Sequence, residues 1–316
     1  WYQRRVRASD FHGNPEHMDA LVKVLLDQKP EIFVFTGDLS PMRSEICEPE
    51  QQYDYVVKHM IQPLIDLDIK YKYVLTGNTD FGYTAKKLKQ NFKDPQKCCV
   101  VDCFNQIIGD TNFIFLGKVA YTTHSMKDQE SLEKFAPATK QKQFDHIFCK
   151  ETFGDQDHVV FCSDRLQYNL KFFDVFKSYN LIPESYRKAL DVTIYDQLAS
   201  LLDKSAQKQI IFSHSPPIYT KASMISKTAH AGSHDLRKFA ELNTLTAIFC
   251  GHIHQSARVA DDFQDEINGC KVFSVSNTGI DGPIHFTKMY YLVFENGVCE
   301  RKYVDVKPFK WMIERK

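Results

Sequence analysis

The chain has 316 residues, enough to bury the core of one large domain, so an enzyme-sized globular protein is the simplest expectation. Forty basic residues balance forty acidic residues, and this neutrality offers no charge footprint for nucleic acid or for an anionic membrane surface. No apolar run reaches the length of a membrane span, no secretion signal is recognisable, and the nine cysteines lack regular spacing, so we expect a soluble, cytoplasmic protein with reduced thiols.

The first part of the chain alternates predicted strands and helices. Asn14 and Pro15 suit the N-cap and the first position of a helix, and the apolar residues that follow recur at helical spacing until the next proline. Short apolar runs bounded by turn residues predict buried strands over 31–35 and 71–75, with a helix over 51–66 between them. The pattern is a β-α-β-α-β order with polar residues where the strands end.

The second part of the chain is expected to contain an insertion and then a further group of strands. Two short strands are predicted within 106–117, and the polar segment 118–157 is interpreted as an insertion or cap within a single domain of residues 1–316. Helices are predicted over 166–179 and 184–204. The remaining predictions are strands over 209–212, 245–250 and 271–275 and a β-hairpin of 288–294 and 298–306.

Seven polar side chains that suit metal ions stand at or near the ends of predicted strands. They are Asp10, His12, Asp38, Asn78, His214, His252 and His254. Because strand ends gather at one edge of an α/β sheet, we expect these side chains to share a site. Taken singly, each is explained as well by a turn or a surface histidine, so the argument depends on their joint occurrence in this order. Their mixture of nitrogen and oxygen donors favours manganese, iron, zinc or cobalt over calcium.

The segments SDFHG, TGDLS, TGNTD, SHSPP and CGHIH, which span Asp10 to His254, resemble the motif series of the calcineurin-like metallophosphoesterase superfamily. The resemblance implies an α/β (α+β) fold in which two mixed β-sheets form a sandwich flanked by helices. It also implies two divalent or trivalent metal ions, manganese, iron or zinc, held by two sets of side chains that share Asp38. The sets are Asp10, His12, Asp38 and His254 for one ion, and Asp38, Asn78, His214 and His252 for the other.

The activity that this resemblance implies is hydrolysis of a phosphomonoester or phosphodiester substrate by a metal-bound hydroxide. Two neighbouring cations lower the pKa of a bridging water and clamp the phosphoryl oxygens, which permits attack on phosphorus at neutral pH. The alternative is a protein-interaction scaffold that keeps the fold but has little catalysis. The complete ligand set argues against a scaffold, and the absence of net charge argues against a nuclease of the same superfamily.

One position departs from the family pattern. Thr79 stands where the family usually has a histidine that serves as a candidate general acid, and a threonine cannot donate a proton as an imidazolium can. The catalytic acid is therefore unassigned, and Asp80 is interpreted either as a remnant of the acid pair or as the cap of a helix that begins near residue 81. Tyr83, His230 and His234 are candidate substrate contacts, with ordinary surface side chains as the alternative. The sequence leaves the substrate, the metal pair and the oligomeric state open.

Overall fold

The computed structural model describes residues 4–41, 46, 48–120, 129–131, 133–136, 147–151, 158–162, 173–176, 192–260, 262–277, 288–295 and 297–307. Within this part of the chain, two large mixed β-sheets pack face to face and helices cover their outer surfaces. The fold class that the motif resemblance implies is thereby confirmed.

The first sheet contains seven described strands, in which a parallel centre is bordered by antiparallel strands. They are β1 (Arg5–Ala8), β2 (Ile32–Thr36), β3 (Tyr71–Leu75), β4 (Lys93–Asp94), β5 (Cys98–Val101), β15 (Lys288–Glu295) and β16 (Val298–Asp305). Their order across the sheet is β16-β15-β1-β2-β3-β5-β4. Strand β2 is buried along its whole length, because a central strand covered on both faces requires a continuous apolar run.

The second sheet contains six described strands and has the same plan. They are β6 (Phe104–Ile108), β7 (Thr111–Leu116), β11 (Lys208–Ser213), β12 (Ala247–Cys250), β13 (Gln264–Ile267) and β14 (Cys270–Ser274). Their order is β13-β14-β12-β11-β7-β6, and the four central strands run parallel. The inner faces of both sheets meet in a core that includes Val34, Tyr73, Phe115, Phe212 and Phe249.

Helices pack on the outer face of each sheet. On the first sheet these are α1 (Pro15–Gln28), α2 (Pro49–Val56), a π-helical turn (Val57–Ile61), α3 (Gln62–Ile65) and α4 (Gly82–Asn91). On the second sheet they are α5 (Ile194–Leu201) and α6 (His234–Leu242), while a 3₁₀ turn (Lys221–Ser223) and α7 (Ser256–Val259) lie in the connecting segments. The start predicted for α1 is confirmed, because the Asn14 side chain accepts hydrogen bonds from the amides of Glu16 and His17.

A third, three-stranded antiparallel sheet has the order β10-β8-β9. Its strands are β8 (Ile147–Glu151), β9 (His158–Cys162) and β10 (Phe173–Phe176), so only β8 falls within the segment 118–157 predicted as the insertion. The helix predicted over 166–179 is wrong at β10, where an aromatic and β-branched run pairs with β8; the rest of that prediction lies outside the described residues. The helix predicted over 184–204 is confirmed for α5 only, since residues 184–191 are not described and Thr193 is the N-cap.

Candidate metal centre

The predicted ligands follow the carboxyl ends of strands from both large sheets. In the first sheet they follow β1 (Asp10 and His12), β2 (Asp38) and β3 (Asn78), and in the second β11 (His214) and β12 (His252 and His254). Two hydrogen bonds tie the sheets together here: the amide of His252 donates to Asp10 Oδ1 at 2.9 Å, and Nδ1 of His214 lies 2.8 Å from the carbonyl oxygen of Thr36. The structure therefore gathers all seven residues at one rim.

A first group of possible ligand atoms comes from Asp10, His12, Asp38 and His254. One atom from each residue lies within 4.8 Å of every other. The Nε2 atoms of His12 and His254 are 2.9 Å apart, His12 Nε2 is 3.7 Å from Asp38 Oδ2, and His254 Nε2 is 3.9 Å from Asp10 Oδ1. Ligands about 2.1 Å from one ion at tetrahedral angles lie about 3.4 Å from each other, so these separations suit a single metal ion.

A second group comprises Asp38, His214 and His252, whose ligand atoms again lie within 4.8 Å of one another. His214 Nε2 is 3.3 Å from Asp38 Oδ2 and 3.0 Å from Asn78 Oδ1, which brings the amide oxygen of Asn78 to the same place. Asp38 belongs to both groups. The two predicted ligand sets therefore correspond to two overlapping clusters that share one carboxylate.

Four of the seven residues adopt left-handed backbone conformations. The φ angles are +59° at Asp10, +47° at His12, +57° at Asp38 and +70° at His252. Non-glycine residues in this region cost about 1 to 3 kcal/mol each and persist only where the surrounding structure imposes them, commonly at functional sites. The loops at this rim therefore adopt a strained backbone that sets the direction of their side chains, and this strain lowers the stability of the fold.

Two glycines permit the close approach of the loops. A Cβ atom on Gly37, which has a φ of +106°, would lie 2.4 Å from Nδ1 of His214, and one on Gly77 would lie 2.4 Å from Oδ1 of Asp38. At Gly37 the positive φ also favours glycine. At Gly77 a side chain would collide with the Asp38 carboxylate.

Burial and mutual charge set the protonation of these groups in the metal-free protein. Burial, opposed by His214 and reinforced by Asp38, raises the pKa of Asp10 to about 7. Burial also acts to raise the pKa of Asp38, but the combined effects of His214, His12 and His252 leave that pKa well below its usual range. Burial lowers the pKa of His214, yet Asp38, Asp10 and the Thr36 carbonyl together raise it to about 9. Burial and the nearby His12 hold the pKa of His254 well below its usual range, which leaves His254 neutral and suited to bind a cation.

The orientation of His214 is fixed by a backbone partner. Its Nδ1 atom faces the carbonyl oxygen of Thr36, which can only accept, so Nδ1 carries the proton and donates. In the metal-free protein the raised pKa of His214 leaves Nε2 protonated as well, and it faces Asp38 and Asn78; a bound cation would take the place of that proton. A hydrogen bond that sets the tautomer in this way is common behind metal-binding histidines.

Thr79 contacts the carboxylate that both clusters share. Its backbone amide and its Oγ1 hydroxyl each donate to Asp38 Oδ1 at 2.9 Å, and the residue is buried. Because the hydroxyl proton points at Asp38, Thr79 in this conformation positions a carboxylate and does not present a proton donor to substrate.

Asp80 is fully buried and accepts hydrogen bonds from the loops around it. Its carboxylate accepts from the amide of Gly77 at 2.6 Å, from the amide of Ser40 at 2.9 Å and from the Ser40 hydroxyl. Burial and the neighbouring Asp38 raise the pKa of Asp80 to about 6. The helix-cap interpretation is wrong, because the N-cap of α4 is Phe81 and Asp80 turns back to hold the ends of β2 and β3 together.

The three candidate substrate contacts differ in their surroundings. Tyr83 is only 4% exposed, so little of its ring is open to a substrate. His230 and His234 are half-buried, and the centroid of each ring lies 5.7 Å from the centroid of the Tyr219 ring. Sequence reasoning missed Tyr219, whose only signal is its place five residues after His214, directly beyond the SHSPP motif.

A family model described as calcineurin-like phosphoesterase matches residues 7–256. The chain belongs to the calcineurin-like phosphoesterase family. A comparison with curated proteins gives no match. In the part of the chain that the structure describes, no helix combines the length and the apolar character needed to cross a membrane.

Solved structures with the same architecture share little sequence with this chain. The protein TT1561 of Thermus thermophilus is 11% identical, with a TM-score of 0.53 over 96% of this chain and 99% of that chain. A second solved chain is 12% identical, with a TM-score of 0.56 over 97% of this chain and all of that chain. A dimetal phosphatase from Danio rerio is 11% identical, with a TM-score of 0.48 over 97% of this chain and 99% of that chain. The first two similarities show the fold alone.

Proposed function

We propose that this protein hydrolyses a phosphomonoester or phosphodiester with two metal ions bound at the rim described above. The observation that carries the proposal is the pair of overlapping clusters that share Asp38. A site with a single ion, or a surface cluster of acidic groups, does not require two sets of converging donors with one carboxylate in common.

When bound, two metal ions would supply stabilisation of charge on the phosphoryl oxygens and a water of lowered pKa. In the overall reaction, water adds to phosphorus, one ester P–O bond breaks, and the alcohol leaves with a proton. Asp10, His12 and His254 are proposed to hold one ion, Asn78, His214 and His252 the other, and Asp38 both. The mixed nitrogen and oxygen donors support manganese, iron or zinc as the metals.

The protein's own residues hold this arrangement in place before a substrate arrives. Thr79 anchors Asp38, the Thr36 carbonyl orients His214, and the amide of His252 donates to Asp10. Ligands that are fixed in advance lose little conformational freedom on metal binding. Most of the donor side chains are nearly excluded from solvent, which strengthens their electrostatic interaction with a cation.

The proposal also covers the domain organisation of the chain. We propose one domain of residues 1–316 in which 118–157 is an insertion that borders the site. Gln129, which precedes the third sheet, contacts the loop that carries Asn78: its side-chain amide donates to the carbonyl oxygen of Asp80 at 3.4 Å.

The experiment that tests the proposed function combines metal analysis with hydrolysis of generic esters. Purified protein is loaded with Mn²⁺, Fe²⁺ or Zn²⁺, its metal content is measured, and p-nitrophenyl phosphate and bis(p-nitrophenyl) phosphate are assayed. We expect two ions per chain and turnover of at least one ester. Asp38→Asn should lose more metal and more activity than His252→Asn, because only Asp38 belongs to both clusters.

The matched control is Asp68→Asn, an exposed carboxylate near the opposite end of β3, which should change neither readout. If wild-type protein binds two ions but hydrolyses no ester, the scaffold alternative replaces the enzyme. If the Asp38 variant keeps both ions and full turnover, the shared role of Asp38 is contradicted.

A further inference from the structure

The loop that begins at His214 carries an exposed aromatic ring whose backbone is held in an unusual conformation. Tyr219 is 59% exposed and has a φ of +59°. A bulky residue in the left-handed region is uncommon, because its Cβ crowds the backbone, and the surrounding structure must impose the conformation. The conformation of the loop therefore holds Tyr219 in its exposed position.

Backbone hydrogen bonds make this loop rigid. The amide of Ile218 donates to Ser233 O at 3.0 Å, and the amide of Ser233 donates to Pro216 O at 2.8 Å. The Arg237 guanidinium donates to the carbonyl oxygens of both Ile218 and Tyr219 at 3.1 Å. These bonds hold the backbone that carries Tyr219 in place before any ligand binds.

Two imidazoles complete the surface. His230 and His234 each present a ring in edge-to-face contact with Tyr219, at interplanar angles of 69° and 79°. His230 is itself oriented, since its Nδ1 atom lies 2.8 Å from Oγ of Ser223. Tyr219 is 59% exposed even with these neighbours, so part of it remains open to a ligand. We call Tyr219, His230 and His234 the aromatic platform.

The aromatic platform belongs to a loop that starts at a predicted metal ligand. Tyr219 follows His214 by five residues, which places it within about 18 Å of that ligand along the chain. From the other side, α7, which begins two residues after His254, packs against the 3₁₀ turn Lys221–Ser223. The platform thus adjoins two segments that carry predicted metal ligands, the loop after His214 and the loop after His254.

We propose that the aromatic platform binds a planar aromatic group of the substrate, such as a nucleobase, while its phosphoryl group is at the metal centre. The inference rests on the proposed function and names the substrate class of the same site. One exposed ring with two flanking imidazoles has the size of a single planar group, whereas a stable protein interface buries about 800 Å² on each partner. Base stacking on an aromatic side chain needs no net positive charge, which agrees with the neutral composition.

The test compares adenosine 5′-monophosphate with ribose 5-phosphate, which share a phosphate and a sugar and differ in the base. Affinities for metal-loaded protein are measured by calorimetry, and released phosphate is assayed in the same samples so that heat from hydrolysis is not counted as binding. We expect the adenine ligand to bind about 5- to 100-fold more tightly, the range that stacking on one aromatic ring provides. Tyr219→Asn should bring the ratio of the two affinities close to 1. Because asparagine tolerates the left-handed conformation, the loop should remain folded in this variant. Tyr219→Phe should retain the ratio.

Tyr303→Asn, which removes an exposed tyrosine on β16, is the matched control and should leave the ratio unchanged. The proposal is overturned if wild-type protein binds both ligands equally or binds neither, or if Tyr219→Asn preserves the ratio. Hydrolysis of bis(p-nitrophenyl) phosphate, measured in parallel, separates this result from failure of the proposed function. If the protein hydrolyses this ester but shows no preference for adenine, the proposed function stands and only the role of the aromatic platform is overturned.

Discussion

The hydroxyl of Thr79 donates to Oδ1 of Asp38, the carboxylate that both ligand clusters share. Sequence reasoning treated Thr79 only as the absence of a general acid. The structure gives it a role of its own, because a hydrogen bond to a metal-binding carboxylate fixes the direction of its lone pairs. Loss of such a partner commonly weakens metal affinity by about 10- to 100-fold.

We therefore predict that Thr79→Val, which keeps the branched shape without the hydroxyl, weakens Mn²⁺ binding by about 10-fold or more. Thr79→Ser should bind nearly as well as wild type, since it keeps the donor. Calorimetric titration of metal-free protein measures both. Equal affinities for the valine variant and wild type would show that the Thr79 amide alone holds Asp38.

A second prediction at Thr79 concerns the leaving group. With no imidazolium at this position, rates for a series of substituted phenyl esters should fall steeply as the leaving group becomes more basic. Thr79→His, assayed at saturating metal to offset the lost contact with Asp38, should raise rates on poor leaving groups by at most ~10²- to 10⁴-fold and barely affect good ones. All esters in the series carry a ring, so stacking on the aromatic platform does not distort the comparison.

A flat dependence of rate on leaving-group pKa, with chemistry limiting turnover, would contradict the idea of a missing acid. His230 and His234 would then be the first residues to replace, and His230 has a ring that Ser223 already orients.

At the scale of elements, Glu133 joins the segment 133–136 to the start of α6. Its Oε1 accepts from the Ser233 hydroxyl at 2.7 Å and from the Asp235 amide at 3.1 Å. Asp235 in turn accepts from the amides of Lys134 and Phe135, so the connection is reciprocal. Burial raises the pKa of Glu133 from its usual 4.5 to about 7, although the hydrogen bond from Ser233 acts in the opposite direction.

This shift predicts how stability depends on pH. A buried acid with a raised pKa holds its proton in the folded state. Its contribution to the free energy of unfolding is therefore present below about pH 4.5 and is lost as the pH rises through about 7. Wild-type protein should lose up to about 3 kcal/mol of unfolding free energy relative to Glu133→Gln between pH 5 and pH 8. Urea denaturation of both proteins in EDTA at these two pH values measures the difference. A pH dependence identical in the two proteins would mean that Glu133 ionises as freely in the folded state as in the unfolded chain.

The elements that sequence patterns identified are those formed by local signals. The strand predicted over 71–75 is found with those bounds, because its apolar run ends at a glycine and at polar residues. The helix predicted over 166–179 failed at Phe173–Phe176, where pairing with β8, more than twenty residues earlier, decides the structure. Such long-range pairing leaves little trace in a short aromatic run.

At the scale of the whole molecule, the sequence predicted which side chains meet but not how they are held. The seven ligand candidates could be found because each follows a strand, and the carboxyl ends of neighbouring strands share a rim. Tyr219 could not be found, since its significance comes from its φ angle and from two rings brought by a later segment. The contact of Thr79 with Asp38 joins residues 41 positions apart and likewise has no local signal.

The central claim is that two metal ions flank Asp38. Crystals grown with Mn²⁺ and measured at the manganese absorption edge test it directly through anomalous difference density. The account predicts two peaks, one about 2.0 to 2.3 Å from the nitrogen atoms of His12 and His254 and the other at the same distance from those of His214 and His252, with an Asp38 oxygen in reach of both. A single peak that Asp38 does not touch, or peaks away from this rim, would contradict it.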